Sequence, residues 1–295
     1  MRKLVARIRS KHIYNIVYLL AATLLTACGG RTAAPQSDVI VSIEPLRYIV
    51  EQITEGDFQV GVLVPQGASP ETFDPTPRQI MALDKAKMVF AIGLIDFEKA
   101  LLQRVGNNNI TDLSHGIELL EGSCSHAHHD HAHHHGVDPH IWTSPRELKA
   151  MAANAHAAIR GLYPDSVKYT KAYDRLAAEL DALDEECRTA IESSGTKAFT
   201  IYHPALTYYA RAYAIEQIAI ESEGKEPSAK HIANIIEQSK AKGVRTLLYQ
   251  VEYPRSTVEV VAKDMGIEPK EINPLSGNPV EFIRDVTNAI TGNKQ

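Results

Sequence analysis

A helix of about thirty residues constrains this chain more than any other feature, because it divides the chain into two halves built to the same plan. Pro164-Asp165-Ser166 opens it and Ser193-Ser194-Gly195 closes it. Between them Tyr173, Leu176, Leu180, Leu183, Cys187 and Ile191 recur at intervals of three and four, the stripe of an amphipathic helix. At 1.5 Å per residue such a helix runs about 45 Å, the length of two small domains. Before it, short apolar runs at residues 39–43, 60–64, 88–92 and 110–113 read as strands, separated by helical patterns at 45–54, from Thr76-Pro77, and at 96–105. A further helix opens at Ser144-Pro145-Arg146-Glu147 and closes at Gly161. After the long helix the alternation resumes, with strands at 198–202, 218–220, 246–251 and 269–272 and helices at 205–213, 228–242, 256–265 and 279–291. Strands separated by helices of this length form parallel sheets covered on both faces. The expectation is an α/β fold: two parallel-sheet lobes joined by a rigid backbone helix, with a site between the lobes.

The N-terminus reads as an export signal, residues 1–27. Arg2, Lys3, Arg7, Arg9 and Lys11 form a basic segment without an acid, and residues 16–25 form an apolar stretch too short to span a bilayer. It ends in Leu25-Thr26-Ala27-Cys28, similar to the bacterial lipobox, whose Cys carries the lipid. Residues 28–37 then form a lipid-anchored tether, followed by an N-terminal lobe (38–163), the linking helix (164–194) and a C-terminal lobe (195–295). Cleavage before Cys28 removes five basic residues and no acid, so 26 basic residues face 36 acidic ones, a net charge of −10. Such a surface is wrong for nucleic acid, whose phosphates demand a basic one. Of the other cysteines, Cys187 falls on the helix stripe as a small core residue and Cys124 is a loop thiol.

Beside Cys124 lies the least probable segment of the chain by composition. Seven of the 13 histidines fall within ten residues: His126, His128, His129, His131, His133, His134 and His135, with Asp130 among them. The segment cannot build a core. Dense imidazole is a compositional signal for a transition metal, and residues 124–136 are read as an accessory metal loop.

Four further candidate ligands stand close to prolines where strands are expected to end. They are Glu71 in Ser69-Pro70-Glu71, His140 in Asp138-Pro139-His140-Ile141-Trp142, His203 in Tyr202-His203-Pro204-Ala205, and Asn273 in Ile272-Asn273-Pro274-Leu275. Two come from each half. Loops at the carboxyl ends of parallel strands converge on a crevice, and proline stiffens the residue beside it. Two imidazoles and a carboxylate, with a weak amide oxygen or a water, suit a four- or five-coordinate divalent ion. Taken singly, each residue also has an ordinary reading as a turn, a cap or a core histidine; the joint pattern carries the ligand reading.

These motifs, with the lipobox and the histidine loop, resemble the cluster A-I metal-binding solute-binding proteins of ABC transporters, and among them the zinc-uptake members. The resemblance also takes in Ser42-Ile43-Glu44-Pro45-Leu46, the segment from Leu63 to Pro77, and Gly224-Lys225-Glu226-Pro227-Ser228. It implies a lipid-anchored, extracytoplasmic monomer that binds Zn2+ between its lobes, delivers it to a membrane permease and performs no catalysis. Two positions depart from the family pattern: Glu71 stands where a His is usual, and Asn273 where an Asp is usual. Fewer nitrogen donors favour Mn2+ or Fe2+ as alternative cargo; the histidine loop, a feature of the zinc members, argues for zinc. Two rival readings are a zinc hydrolase, against which the chain has no HExxH motif, and a lipid-anchored adhesin or zinc-buffering protein without a permease.

Overall fold

Strands only three or four residues long, the two central ones of each sheet fully buried, form two separate parallel sheets in the computed structural model, which describes residues 37–104, 110–122, 136–221, 227–253 and 255–292. In the first sheet β1 (Val39–Val41), β2 (Val60–Val62), β3 (Met88–Ala91) and β4 (Ile110–Asp112) lie in the order β2-β1-β3-β4. Helices α1 (Glu44–Thr54), α2 (Pro77–Leu83) and α3 (Asp96–Arg104) make the crossovers. A 3-10 turn (Ile141–Thr143) leads into α4 (Pro145–Leu162) and the long α5 (Val167–Ser194). The second sheet repeats the first. Its strands β5 (Ala198–Ile201), β6 (Glu216–Ala219), β7 (Leu247–Gln250) and β8 (Pro269–Ile272) lie in the order β6-β5-β7-β8. Helices α6 (Thr207–Ala212), α7 (Ala229–Ala241), α8 (Arg255–Met265) and α9 (Pro279–Thr291) accompany it. In each sheet the chain steps to one side of its first strand and then to the other. Where the direction reverses, the loops leaving the strand ends separate and open a crevice.

Helix α5 has 28 residues, so it runs about 42 Å. Ser166 caps its start by accepting the Tyr169 N–H, and Gly195 ends it in the left-handed conformation (φ 66°) that a Cβ would strain. Its buried stripe is Tyr169, Ala172, Leu176, Leu180, Leu183, Cys187 and Ile191. Tyr173, expected on that stripe, sits at its edge, half-buried, with its ring stacked flat on His156 of α4 (4.4 Å between centroids). One residue is a 100° rotation on a helix, so Ala172 takes the inward position. The stripe packs on α1, α4 and α9, and one continuous apolar core runs from the first sheet through α5 to Phe199, Ile201 and Leu248 of the second. Ala198, on the opposite face of β5, and Tyr202, just past its end, join a second cluster under α7 and α8. Ion pairs flank the helix, among them Lys149–Asp181, Arg146–Asp184 and Arg284–Glu186. Exposed pairs of this kind contribute about 0–1 kcal/mol each, so the apolar stripe carries the helix.

The expected strand over 269–272 coincides with β8, whereas several others run one or two residues past the observed ends: the expectation of 39–43 meets β1 ending at Val41, and that of 198–202 meets β5 ending at Ile201. The surplus residues leave the sheet as the loops that carry the candidate site. The predicted helix over 205–213 starts only at Thr207, because Ala205 N–H closes a turn on the His203 carbonyl and Gln217 accepts the Leu206 N–H. Cys187 is a free, fully buried thiol that accepts from the Thr287 hydroxyl. Cys28, Cys124 and the whole tract from His126 to His135 lie outside the described residues.

Candidate metal centre

Glu71 comes from the loop between β2 and α2, and that loop is fastened at both ends. Thr76 and Gln79 form a capping box at the start of α2. The Gln79 side chain also donates to the Leu63 carbonyl at the end of β2 (2.8 Å), so one residue ties the exit of the loop to its entrance. Midway, the Phe73 ring packs edge-on against Phe97 of α3 (5.1 Å). Glu71 is left pointing out of the loop.

His140 follows an Asx turn: Asp138 Oδ1 accepts the His140 backbone N–H (2.9 Å) and faces its ring Nδ1 (2.8 Å). Both residues are buried. Thr143 Oγ1 lies 2.8 Å from the His140 carbonyl and 2.9 Å from the Ala205 carbonyl, which ties this motif to the His203 turn in the second half of the chain. Trp142 Nε1 donates to the Pro274 carbonyl (2.7 Å), a second tie between the halves.

His203 lies two residues beyond β5. Its Nδ1 meets Glu221 Oε2 at 2.8 Å and its Nε2 meets Glu71 Oε1 at 3.2 Å. Tyr253 stacks on its ring, nearly parallel at 5.2 Å, and the His140 ring stands edge-on at the same distance. Burial alone would lower the His203 pKa; hydrogen bonds and charge from Glu221 and Glu71 outweigh it and lift it to about 9. The His203 hydrogen bond and charge in turn hold Glu71 below the usual carboxylate range. Burial pushes Asp138 up, but the charge and hydrogen bonds of His140 more than offset this and leave it lowered.

One donor atom each from Glu71, His140 and His203 lies within 4.8 Å of the other two, beside a cavity of about 240 Å³. Behind each imidazole stands a buried carboxylate, Asp138 for His140 and Glu221 for His203. Such outer partners fix the ring orientation and raise the basicity of the nitrogen that faces the metal. Two nitrogens and one carboxylate oxygen converging on a common point form a donor set for a divalent transition metal.

Residues 39–291 match the model of the family described as zinc-uptake complex component A, periplasmic (ZnuA). The chain belongs to this family. It is 27% identical over 289 residues to the high-affinity zinc uptake system protein ZnuA of Bacillus subtilis, a match covering 88% of each chain. It is 24% identical over 279 residues to the zinc-binding lipoprotein AdcA of Streptococcus pneumoniae, covering 90% of this chain but only 55% of AdcA. The chain thus spans about half the length of that relative. Among solved structures, a crystal structure of ZnuA superposes with a TM-score of 0.78 at 30% identity, covering 86% of this chain and 98% of the other. FpvC of Pseudomonas aeruginosa in complex with Mn2+ shares the fold, with a TM-score of 0.71 at 19% identity and coverage of 86% and 96%.

Against this ZnuA frame, the structure brings three of the four proline-flanked candidates together and leaves one aside. Asn273 is exposed and does not line the cavity beside the three donors; its Oδ1 accepts the Leu275 N–H (3.0 Å) in a turn of its own. Sequence reasoning passed over Asp138, although its motif was singled out, and missed Glu221, Gln250 and Tyr253 entirely. The signal for Glu221 and Gln250 is register: Gln250 at the end of β7 and Glu221 two residues past β6 are the positions level with His203. The ends of the histidine segment are also placed. Gly122 N–H donates to the Gly136 carbonyl (2.8 Å) and Asp138 N–H to the Leu120 carbonyl (2.9 Å), with Glu121 and Val137 bridged between them. The buried Tyr208 hydroxyl accepts the Leu120 N–H and donates to the Asp138 carbonyl. Residues 120–122 and 136–138 therefore form a short antiparallel stem that runs straight into the Asp138–His140 turn.

Proposed function

We propose that this protein captures extracytoplasmic Zn2+ at Glu71, His140 and His203 and delivers it to an ABC permease for import. The convergence of those three donor atoms in a chain of the ZnuA family carries the reading. Lipid on Cys28 holds the protein at the membrane surface, with residues 28–37 as tether. The tract of His126, His128, His129, Asp130, His131, His133, His134 and His135 collects zinc loosely and raises its concentration near the stem. The bound ion is then gripped by two imidazoles whose far nitrogens are already engaged, so little ordering remains to be done on binding. The protein works as a monomeric carrier and not as a hydrolase. Mn2+ is the second cargo to test, because Glu71 supplies oxygen where an imidazole would supply nitrogen.

The test is a competition titration of the mature protein with Zn2+ and with Mn2+, repeated on a variant lacking 124–136 and on His140→Ala/His203→Ala. Tight zinc binding should survive the deletion and disappear in the double variant. Tight binding that disappears with the deletion would move the function to the loop, and a preference for Mn2+ would change the cargo.

A further inference from the structure

Three polar side chains stand in a row at the end of the second sheet. Ile201 pairs with Ala219 on one side and Leu248 on the other. Two residues further along, the same register aligns Glu221, His203 and Gln250, with all three side chains on one face. Glu221 holds the ring of His203, and Gln250 holds its backbone: Gln250 Nε2 donates to the His203 carbonyl (3.1 Å). A carbonyl accepts only from a donor, so the amide must present its nitrogen there and its oxygen elsewhere. Gln250 is 3% exposed and lines the cavity beside the three donors, and its Oε1 has no hydrogen-bond partner among the described residues. Buried polar atoms are almost always partnered, so an unpartnered oxygen on a residue that lines the cavity is an acceptor left open for a donor.

The donor set supplies the reason. Glu71, His140 and His203 give three ligand atoms, and a divalent zinc ion takes at least four, completing its shell with water where the protein leaves a position open. Water on a dication is a strengthened hydrogen-bond donor and needs an acceptor. We infer that Gln250 is a positioning residue whose Oε1 accepts a hydrogen bond from the water completing the coordination of the captured ion. This rests on the reading of Glu71, His140 and His203 as ligands. A neutral amide does so without adding charge, so the ion keeps the net charge left by one carboxylate and two imidazoles.

Gln250→Met and Gln250→Glu separate the two ends of the amide. Met removes both the donor to His203 and the acceptor for water; Glu removes the donor and keeps an acceptor of the same shape. Zinc affinity by competition, and the ligand-field absorption of the Co2+-loaded protein, which reports coordination number and donor type, are measured for both. Met should weaken zinc by about tenfold and change the Co2+ spectrum; Glu should bind zinc at least as tightly as the parent protein and shift the spectrum differently. Equal losses in both variants with an unchanged Co2+ spectrum would reduce Gln250 to a brace for the His203 backbone. Parental affinity and spectrum in both would also overturn the inference. The Glu variant decides alone if the Met variant does not fold, because a spectrum identical to the parent's leaves no water held at that atom. Tight zinc binding by His140→Ala would instead overturn the ligand reading itself.

Discussion

If His203 binds zinc as proposed, the metal and a proton compete for the same nitrogen, Nε2. With the site free of metal, Nε2 carries a proton shared toward Glu71, and the ring titrates at about 9. A metal-bound imidazole must be neutral on that nitrogen, so zinc displaces the proton. The sign follows: the raised pKa keeps the ring protonated at neutral pH, and apparent zinc affinity falls about tenfold for each pH unit below that value. Calorimetry in buffers of different ionisation enthalpy should therefore find about one proton released per zinc at neutral pH, and a release that vanishes at high pH; zinc uptake without proton release at neutral pH would contradict it. Glu221 matters through the other nitrogen. Glu221→Gln keeps the shape of the partner and removes its charge, and zinc affinity measured by competition should fall about 10–100-fold. An unchanged affinity would leave Glu221 with a packing role only.

The elements were legible in the sequence because hydrophobic periodicity is local. Leu176, Leu180, Leu183, Cys187 and Ile191 announce a helix from their own spacing, and the strands from their apolar runs. The candidate site was legible to the extent that the residues brought together there, Glu71, His140 and His203, sit in stiff local motifs. Glu221 and Gln250 were not, since only the pairing of β6 and β7 with β5 sets them beside His203, and nothing within either segment reports that register. Asn273 stands apart from those three. Its place in a proline motif was visible, but its side chain is consumed by its own turn, a competition that short polar side chains often win. The stem at the histidine segment makes a prediction at this scale. Tyr208→Phe removes the hydroxyl that joins Leu120 to Asp138, taking the partner from a half-buried donor and a buried acceptor, and should cost about 1–3 kcal/mol in urea unfolding. Hydrogen exchange at the Leu120 amide should rise at the same time; unaltered protection would mean the backbone pairs suffice.

In the whole molecule the two sheets share one core through α5, so they are not independent bodies. Leu180→Ala removes a fully packed side chain from the middle of that helix and should destabilise the protein by about 2–5 kcal/mol. In the metal-free protein the loss should appear as one cooperative transition, seen alike by far-ultraviolet circular dichroism and by fluorescence of Trp142; two separated transitions would show that the halves unfold alone. The stem has a consequence of another kind. It seals the chain between Gly122 and Gly136 before the backbone reaches Asp138, so the length of the insert is not felt at His140. The entropy of closing a loop grows only logarithmically, and doubling its length costs about 0.6 kcal/mol. Residues can therefore be gained, lost or duplicated there at almost no thermodynamic cost to the fold, so the composition of the insert is free to drift while the turn that carries His140 is held constant.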